Sequence, residues 1–427
     1  MPGIEPGNPR TELIENLLTK EALEKQVDAE NPERADFHLP EWYDEKQFNK
    51  ARRFYWSQSF ALSTSMLVGL VTVFAVPSIL KVLVDSGRSS SVYTAYKRYL
   101  STLLHTVSWF EHELKPGSIS WKSVKAVRSR HYRASLSAKS RGNGVVSQRD
   151  VAITQFGFLG LAMLKPDKFG ITQTKEGDWE AYNHFWRVIG YMIGLEDRYN
   201  ICRNSVEETR EVCQELLERV FTPCLENVPE YFEHMASMML DGMGAVIPSI
   251  NIKTAIFFTK HVCDVPGYVY TEQERITFQT RLSKALKGKP IHTGVDVRTL
   301  IRAPAVEGLP EMPPRLLYYQ DYEVLYKVPA YKRLTFGEKL NLNFAFFVSF
   351  LYTTYLGKIY FNLQHRWSLF FAKYLPYLSF VRFGIRASYV NIFVESPKDG
   401  TKPIKNAEYY KKYSVSEPWY RSWFNIL

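Results

Sequence analysis

Apolar positions recur every three or four residues along most of the chain, which is the spacing of an α-helix. Stretches that alternate apolar and polar residues, as a strand would, are few and short. Turn residues separate the helical segments, for example at Gly142–Gly144 and Pro166–Gly170. The pattern therefore predicts an all-α fold.

The first 50 residues are rich in Glu, Asp, Lys, Asn and Pro and poor in apolar residues. Such a composition buries little surface, so residues 1–50 are predicted to form a mobile or loosely docked polar leader. Two short helices are predicted within and just beyond it, at Thr11–Ala29 and Glu41–Phe54.

Three further regions follow the leader. Residues 51–285 carry the strongest helical pattern and are predicted to form the main helical domain. Residues 286–335 are rich in Pro, Gly and Arg and predict an irregular connector. Residues 336–427 form an aromatic and basic C-terminal region, which is a candidate membrane contact.

Two apolar runs are long enough to raise the question of a membrane. Trp56–Leu80 carries no charge, but the serines in its first half and Pro77 near its end favour a core helix over a span. Leu340–Leu356 is apolar and aromatic, and further aromatic residues mixed with lysine and arginine continue to Phe383. This second run is the better candidate for contact with lipid.

Composition narrows the class of protein. The 427 residues are 45% hydrophobic, 15% aromatic and 23% charged, which excludes a collagen-like, disordered or disulfide-framework protein. The net charge of +10 suits an anionic membrane surface, and no nucleic-acid-binding motif accompanies it, so we predict no nucleic-acid partner. No signal peptide is visible, and no C-x-x-C pair occurs among the four cysteines, which favours an intracellular protein with reduced, buried thiols: Cys202, Cys213, Cys224 and Cys263.

The segment from Ser118 to Arg133 predicts a helix that Ser118 or Ser120 could cap. Arg128 and His131 lie one turn apart on its apolar stripe. A buried imidazole could bind a haem iron while the arginine pairs with a haem propionate. The other interpretation of the same pattern is a core histidine that is hydrogen-bonded to a backbone carbonyl.

Arg98 and Thr102 share one face of a helix predicted from Ser91 to Phe110. A charged donor and a small hydroxyl could orient bound dioxygen or its products. The alternative is an ordinary surface pair.

The segment from Glu180 to Gly194 is apolar almost all round and predicts a buried helix, in which Gly190 and Gly194 would let another helix or a flat cofactor approach. Glu180 and His184 stand four residues apart, as do Glu230 and His234. These two pairs could hold a non-haem metal, although ferritin-like sites use a spacing of three. Sequence motifs of dinucleotide-binding enzymes, P-loop enzymes, serine hydrolases and zinc proteases are missing.

Taken in order, the motifs resemble the family that contains the latex-clearing rubber oxygenase and the ER-bound oxygenase of mycophenolic acid biosynthesis. The resemblance runs from about Phe54 to Tyr270. Its pieces are Val76-Pro77 with Leu80, Arg98-x-x-x-Thr102, Val127-Arg128-x-x-His131, Ser147-Gln148-Arg-Asp150 with Thr154-Gln-Phe156-Gly-Phe158, His184-x-Trp186-Arg187-x-x-Gly190-x-x-x-Gly194 and Val265-Pro266-Gly267-Tyr268.

The resemblance implies a globin-like helical core that holds one haem b and uses dioxygen to cleave isoprenoid double bonds or a related prenyl chain. It makes His131 the proximal haem ligand and therefore the metal ligand, and Arg128 its neighbour in cofactor binding. Arg98 and Thr102 become catalytic residues on the distal side. His184 and Arg187 are also assigned to cofactor binding by their motif.

The sequence departs from the family pattern in three places. Ser101 stands where the rubber oxygenase has a lysine that can close the distal side. The base of that enzyme has no clear counterpart, and Asp85 is the nearest acid. After the ligand histidine, Ser135 and Leu136 replace an arginine and a histidine. These losses affect catalysis more than fold.

The sequence thus predicts a haem-b-dependent oxygenase that acts with dioxygen on an apolar isoprenoid or lipid-like substrate. It is expected to be intracellular and membrane-associated, with the endoplasmic reticulum as the candidate compartment. The alternative is a non-catalytic haem- or lipid-binding membrane-associated protein of the same fold.

Overall fold

The structure, a computed structural model, describes residues 9–33 and 37–413. Helices dominate, and among these residues the extended structure is one antiparallel pair of two-residue strands, β1 (Val295–Asp296) and β2 (Leu316–Leu317), and a single bridge between Gln26 and Ser147. The all-α prediction is confirmed.

The helices of the leader and main domain, in chain order, are α1 (Pro9–Leu17), α2 (Lys20–Glu24), α3 (Glu45–Ser57), α4 (Ser59–Phe74), α5 (Pro77–Ser86), α6 (Val92–Glu111), α7 (Ile119–Ser140), α8 (Gln148–Leu164), α9 (Asp178–Met192), α10 (Val206–Leu216), α11 (Thr222–Glu226), α12 (Phe232–Met243) and α13 (Ile252–Val262). A π-helical turn at Leu217–Phe221 joins α10 to α11. We call α3 to α13 the helical body.

The remaining helices are α14 (Glu272–Leu286), α15 (Pro329–Lys332), α16 (Phe336–Tyr352), α17 (Tyr355–Tyr374), α18 (Tyr377–Phe383), α19 (Ile385–Ser388) and α20 (Asn406–Tyr413). Helix α14 and the two strands enclose a small second core around Phe278, Leu282 and Tyr322. The predicted connector, residues 286–335, is therefore irregular but contributes to a core of its own.

The centre of the body is the crossing of α4 and α8. A Cβ atom on Gly69 would lie 1.9 Å from the carbonyl oxygen of Gly157, so these two backbones touch. Beside this crossing, an aromatic stack joins α3, α6 and α9: the ring of Phe110 lies 3.9 Å from Tyr55 and 4.1 Å from Phe185. Close backbone approach and stacked rings together fix the helices that carry the candidate site.

The leader differs from the expectation of a mobile or loosely docked segment. Leu13, Ile14 and Leu17 are buried in the core of the body, because α1 packs against α10. The helix predicted at Thr11–Ala29 is two short helices, α1 and α2, and the one predicted at Glu41–Phe54 begins later, at Glu45, with Asp44 as its cap.

The apolar run Trp56–Leu80 is divided between α3, α4 and α5, and most of α4 is buried. Among the described residues no single helix has both the length and the apolar composition needed to cross a bilayer. Two bent pairs have them together, α3 with α4 at 93° and α16 with α17 at 113°.

Candidate functional site

Helix α7 begins where the sequence predicts, since the Ser118 side chain accepts a hydrogen bond from the Trp121 backbone N–H. Val124 and Ser135 are buried on its inner stripe, and Val127 packs against the same core. His131 lies four residues after Val127 and so on the same stripe. The residue as a whole is half-buried, but its Nδ1 atom is shielded from solvent.

His131 carries no charge at neutral pH. Burial and the nearby positive charges of Arg98 and Arg130 lower its pKa to about 4. Its Nδ1 atom has no hydrogen-bond partner among the described residues. A neutral imidazole with an unpaired ring nitrogen is the form in which histidine binds a metal.

Other buried histidines differ from His131 because each uses a ring nitrogen for a hydrogen bond. His105 Nδ1 lies 2.7 Å from Ser123 Oγ, and Arg130 donates to its Nε2 at 2.9 Å. Similar bonds go from His234 to Ser90 O, from His261 to Tyr268 O, and between His365 and Ser63 Oγ. The prediction of a backbone-bonded core histidine thus describes His234 and His261 rather than His131.

Arg98 is brought to the same cluster as His131 by the packing of α6 against α7. Its Nη1 donates to Ser86 Oγ at 2.8 Å, which fixes the guanidinium at the end of α5. Thr102 lies one turn on, and its hydroxyl donates to the Arg98 backbone oxygen at 3.1 Å. The Thr102 oxygen can still accept a hydrogen bond, but its proton is used within the helix.

Arg128 has a protein partner rather than a free guanidinium. It forms a two-pronged ion pair with Asp28 of the leader, with Nη2 2.6 Å and Nε 3.0 Å from Asp28 Oδ1. Asp28 is 7% exposed. The predicted pairing of Arg128 with a haem propionate therefore competes with a buried contact that ties the leader to α7.

His184 and Arg187 belong to a different cluster, on the side of α9 that faces residues 42–44. The Asp44 backbone N–H donates to His184 Nε2 at 3.1 Å, so this nitrogen is occupied. Arg187 pairs with Asp197 at 3.0 Å and stacks on the ring of Trp42 at 4.3 Å. Each has a structural partner, and their assignment to cofactor binding stays a prediction.

Gly190 and Gly194 meet different neighbours. A Cβ atom on Gly190 would meet the amides of Gln155 and Asn200, at 2.7 and 3.0 Å. Gln155 lies on helix α8, which packs against α9, so another helix does approach at Gly190 as expected. Gly194 lies beyond the end of α9 with a φ of 98° and faces Val27 and Asp28, so the leader occupies the space there.

Sequence reasoning missed Arg130 and His105, which adjoin His131. Arg130 Nη2 donates to the backbone oxygens of Ile392 and Val394 at 2.5 and 3.0 Å, and so ties the C-terminal region to α7. The signal for Arg130 was its place beside His131 in the sequence, since its partners are His105 on another helix and two backbone oxygens more than 260 residues away.

The structure also gives the surroundings of two positions at which the sequence departs from the family pattern. Asp85 pairs with Arg141 at 2.5 Å and accepts from Asn143 at 2.8 Å, so the nearest acid is bound in a surface network. Ser101 is buried, and its hydroxyl has no partner among the described residues. A serine hydroxyl there leaves a polar atom available to a ligand.

The non-haem alternative lacks a cluster of ligands in the described part of the chain, where no group of three His, Cys, Asp or Glu side chains is placed to hold a metal. Glu230 pairs with Lys405 at 3.1 Å. All four cysteines are free and buried, as predicted, and burial raises the pKa of each thiol.

The donor atoms near His131 fit a haem, since the imidazole is neutral with an unpaired nitrogen and Arg98 offers a cation for a propionate. Two cavities are present elsewhere, one of about 960 Å³ between α3 and α17 and one of about 170 Å³ beside His184. Neither of these two cavities is lined by His131.

Comparisons with known proteins give a weak likeness. No family model matches the chain, and no curated protein matches it. Among solved structures, latex clearing protein LCP in the closed state is similar, with 17% identity, a TM-score of 0.43, and coverage of 71% of this chain and 87% of that one. A likeness of this strength carries no argument about cofactor or reaction.

Proposed function

We propose that this protein is a haem-b-dependent oxidoreductase that acts with dioxygen on an apolar isoprenoid or lipid-like substrate at an intracellular membrane. In this proposal His131 would be the iron ligand. The observation that carries it is a half-buried, uncharged imidazole whose Nδ1 is shielded from solvent and lacks a partner among the described residues. The motifs around Arg98 and His131 supply the family context.

Each residue has a defined part. The neutral His131 ring would bind the iron, and Arg98, held by Ser86, would offer its remaining N–H groups to an anionic propionate. Ser101 and Thr102 present hydroxyl oxygens on the same helix. The haem, when bound, supplies the redox chemistry with dioxygen.

The test is an absorption spectrum and a pyridine haemochrome assay of the purified full chain, beside His131→Ala. We expect close to one haem per chain, and loss of most of it in the variant. His105→Ala is the matched control, because His105 is also buried and has a pKa of about 4, but both its ring nitrogens are hydrogen-bonded. Its haem content per folded chain should equal that of the wild type.

A second variant separates ligand loss from misfolding. In His131→Gly, added imidazole should restore the Soret band, because the free ring can occupy the space of the deleted side chain. Absence of haem in the wild type after growth with iron and porphyrin precursor would overturn the proposal, and so would full haem content in His131→Ala.

Asp85 and Thr102 already have partners within the protein: Asp85 pairs with Arg141, and the Thr102 hydroxyl donates to the Arg98 backbone oxygen. These contacts favour a second candidate, a haem- or lipid-binding protein without turnover. Oxygen uptake that depends on a prenyl substrate distinguishes the two. Uptake above the rate of the haem-free protein supports the oxygenase, whereas haem without uptake supports the binding protein.

A further inference from the structure

Helix α16 presents an apolar stripe to solvent rather than to the core. Its exposed side chains follow the helical spacing of three and four and are Phe336, Leu340, Phe344, Phe347 and Phe350. Phe336 is 84% exposed and Phe350 is 65% exposed. A stripe of this length on one side of a helix marks an interaction surface.

Helix α17 continues the stripe after the 113° bend. Six of its exposed apolar side chains have the same spacing: Leu356, Ile359, Leu363, Trp367, Phe370 and Tyr374. We call the two stripes together the outer face.

The inner face of α17 is held to the body by polar contacts. Asn362 Oδ1 accepts from the Phe60 N–H at 3.0 Å and from Tyr352 Oη at 3.0 Å, and Nδ2 donates to Ser57 O at 2.8 Å. His365 bonds with Ser63 Oγ at 3.0 Å. Phe361 and Leu369 also pack inward, and the Phe361 ring stacks on Phe60 at 5.0 Å. Helix α17 therefore carries apolar side chains on both faces, and only its inner set is covered by protein.

The charge around the outer face that has no ion-pair partner is positive, since Glu338 in the first turn of α16 pairs with Lys253 at 3.1 Å. Between Lys339 and Val394 the chain has six lysines and arginines and no aspartate or glutamate. Lys373 and Arg382 pair with Glu111 and Asp241 of the body. Among the described residues, no ion pair engages the other four cations, Lys339, Lys358, Arg366 and Arg386.

A basic groove of about 960 Å³ opens beside the outer face, between α3 and α17. Arg52, Arg53 and Arg366 line it, and Phe370 and Tyr374 belong both to its wall and to the outer face. Two acids also line it, but Glu111 is paired with Lys373 and Glu113 with Lys115. The groove therefore places arginines without an ion-pair partner next to the edge of the outer face.

We propose that the outer face of α16 and α17 lies flat in the interface of an anionic phospholipid bilayer, with a lipid phosphate in the basic groove. Apolar and aromatic side chains enter the acyl region, and arginines at their edge meet the head groups. The anionic bilayer is favoured over a second copy of the chain because the uniform positive charge would repel its own copy. This inference rests on the membrane association in the proposed function and is independent of haem.

The test is flotation of the purified full chain with vesicles of phosphatidylcholine alone or mixed with phosphatidylserine. We expect binding to the mixed vesicles, and at least tenfold weaker binding for the double variant Leu363→Glu, Trp367→Glu. The matched control is Ile276→Glu on α14, because Ile276 is 49% exposed and Trp367 is 52% exposed, but Ile276 lies outside the outer face. The control should bind as the wild type does.

The groove is tested separately with Arg53→Gln, Arg366→Gln. This variant should lose the preference for phosphatidylserine, whereas Lys284→Gln, an exposed control on α14, should retain it. Circular dichroism confirms that each variant is folded. His131→Ala should float as the wild type does, so a failure of the haem proposal is distinguishable from a failure here.

Four results would overturn the inference. They are no vesicle binding by the wild type, binding that the outer-face glutamates leave unchanged, and equal binding to neutral and anionic vesicles. The fourth is labelling of α16 and α17 from both sides of a sealed vesicle, which means a span. A dimer in buffer that Trp367→Glu dissociates, without vesicle binding, assigns the face to a second copy instead.

Discussion

Helix α9 of the body and helix α17 of the C-terminal region both carry an apolar stripe at helical spacing, and the two stripes point in opposite directions. In α9 the apolar residues Phe185, Val188 and Ile189 are buried, while Arg187 pairs with a surface acid. In α17 the asparagine is buried and Trp367 is exposed. An apolar stripe therefore identifies a face of a helix but does not identify what that face contacts.

The helical body and the C-terminal region differ in the same way as these two helices. Most of the large apolar side chains that the described residues expose lie between 336 and 394. The body buries its rings in stacks such as Phe110 with Phe185. Burial of apolar surface stabilises the body in water, whereas the outer face gains the same free energy only when it meets another apolar phase.

The largest expected effect on stability comes from the aromatic stack that joins α3, α6 and α9 in the helical body. Phe185→Ala removes a ring that stacks on Phe48 at 4.6 Å and Phe110 at 4.1 Å and should lower the free energy of unfolding by about 3–5 kcal/mol. Urea unfolding followed by circular dichroism measures it. Trp367→Ala on the outer face is the counterpart and should change stability by about 0.5 kcal/mol or less. Equal losses in the two variants would contradict the comparison.

The next largest effect on stability is expected from the hydrogen bonds that hold α17 against the helical body. Asn362→Leu keeps the branched shape of the side chain but leaves the Phe60 N–H and the Ser57 carbonyl without their partner, at a cost of about 1–3 kcal/mol. Limited proteolysis should then cut between α16 and α18 faster than in the wild type. Gln364→Leu, at an exposed position of the same helix, is the control and should be cut at the wild-type rate.

The sequence predicts those features of the structure that depend on residues close together in the chain. Ser91 and Ser118 cap α6 and α7 as their spacing suggests, because caps involve residues three apart. The pairing of Arg128 with Asp28 joins residues 100 positions apart, and nothing local distinguishes it from pairing with a cofactor. The helix crossing at Gly69 and Gly157 was missed for the same reason.

The candidate site was predicted in part. Arg98 lies close enough to His131 for its charge to lower the pKa of the imidazole, and only the family resemblance had grouped the two residues. His184 was grouped with them by its motif, yet its Nε2 is bonded to Asp44 in the leader. The periodicity indicates that a side chain faces inward, but the tertiary packing decides which neighbour it meets.

A smaller effect concerns pH. His105, His131 and His365 each have a pKa lowered to about 4 by burial, with nearby arginine charge adding to the effect, whereas the unfolded chain takes up their protons near pH 6.5. The unfolded state binds more protons in this window, so stability should fall as the pH falls from 6.5 to 4.5, by up to about 1.4 kcal/mol per pH unit for each histidine.

Urea midpoints measured across that range give the slope. His131→Gln should reduce the slope of stability against pH by up to about 1.4 kcal/mol per pH unit, the contribution of one histidine. His292→Gln serves as the control, because His292 is exposed, and it should leave the slope as in the wild type. A slope that His131→Gln leaves unchanged would show that folding does not lower the pKa of His131.

The smallest effect on stability is expected on the outer face itself. Ile359 is 48% exposed in α17, and Ile359→Gln should change the free energy of unfolding by about 0.5 kcal/mol or less, because the side chain loses little buried surface. Ile189 is 1% exposed in α9, and Ile189→Gln should cost several times more, because an amide enters the core without a partner. Urea unfolding in detergent-free buffer compares the two, and sedimentation velocity follows self-association. The Ile359 variant should aggregate less than the wild type, since it removes apolar surface that water contacts; a large stability loss there would mean that the outer face is packed against the protein itself.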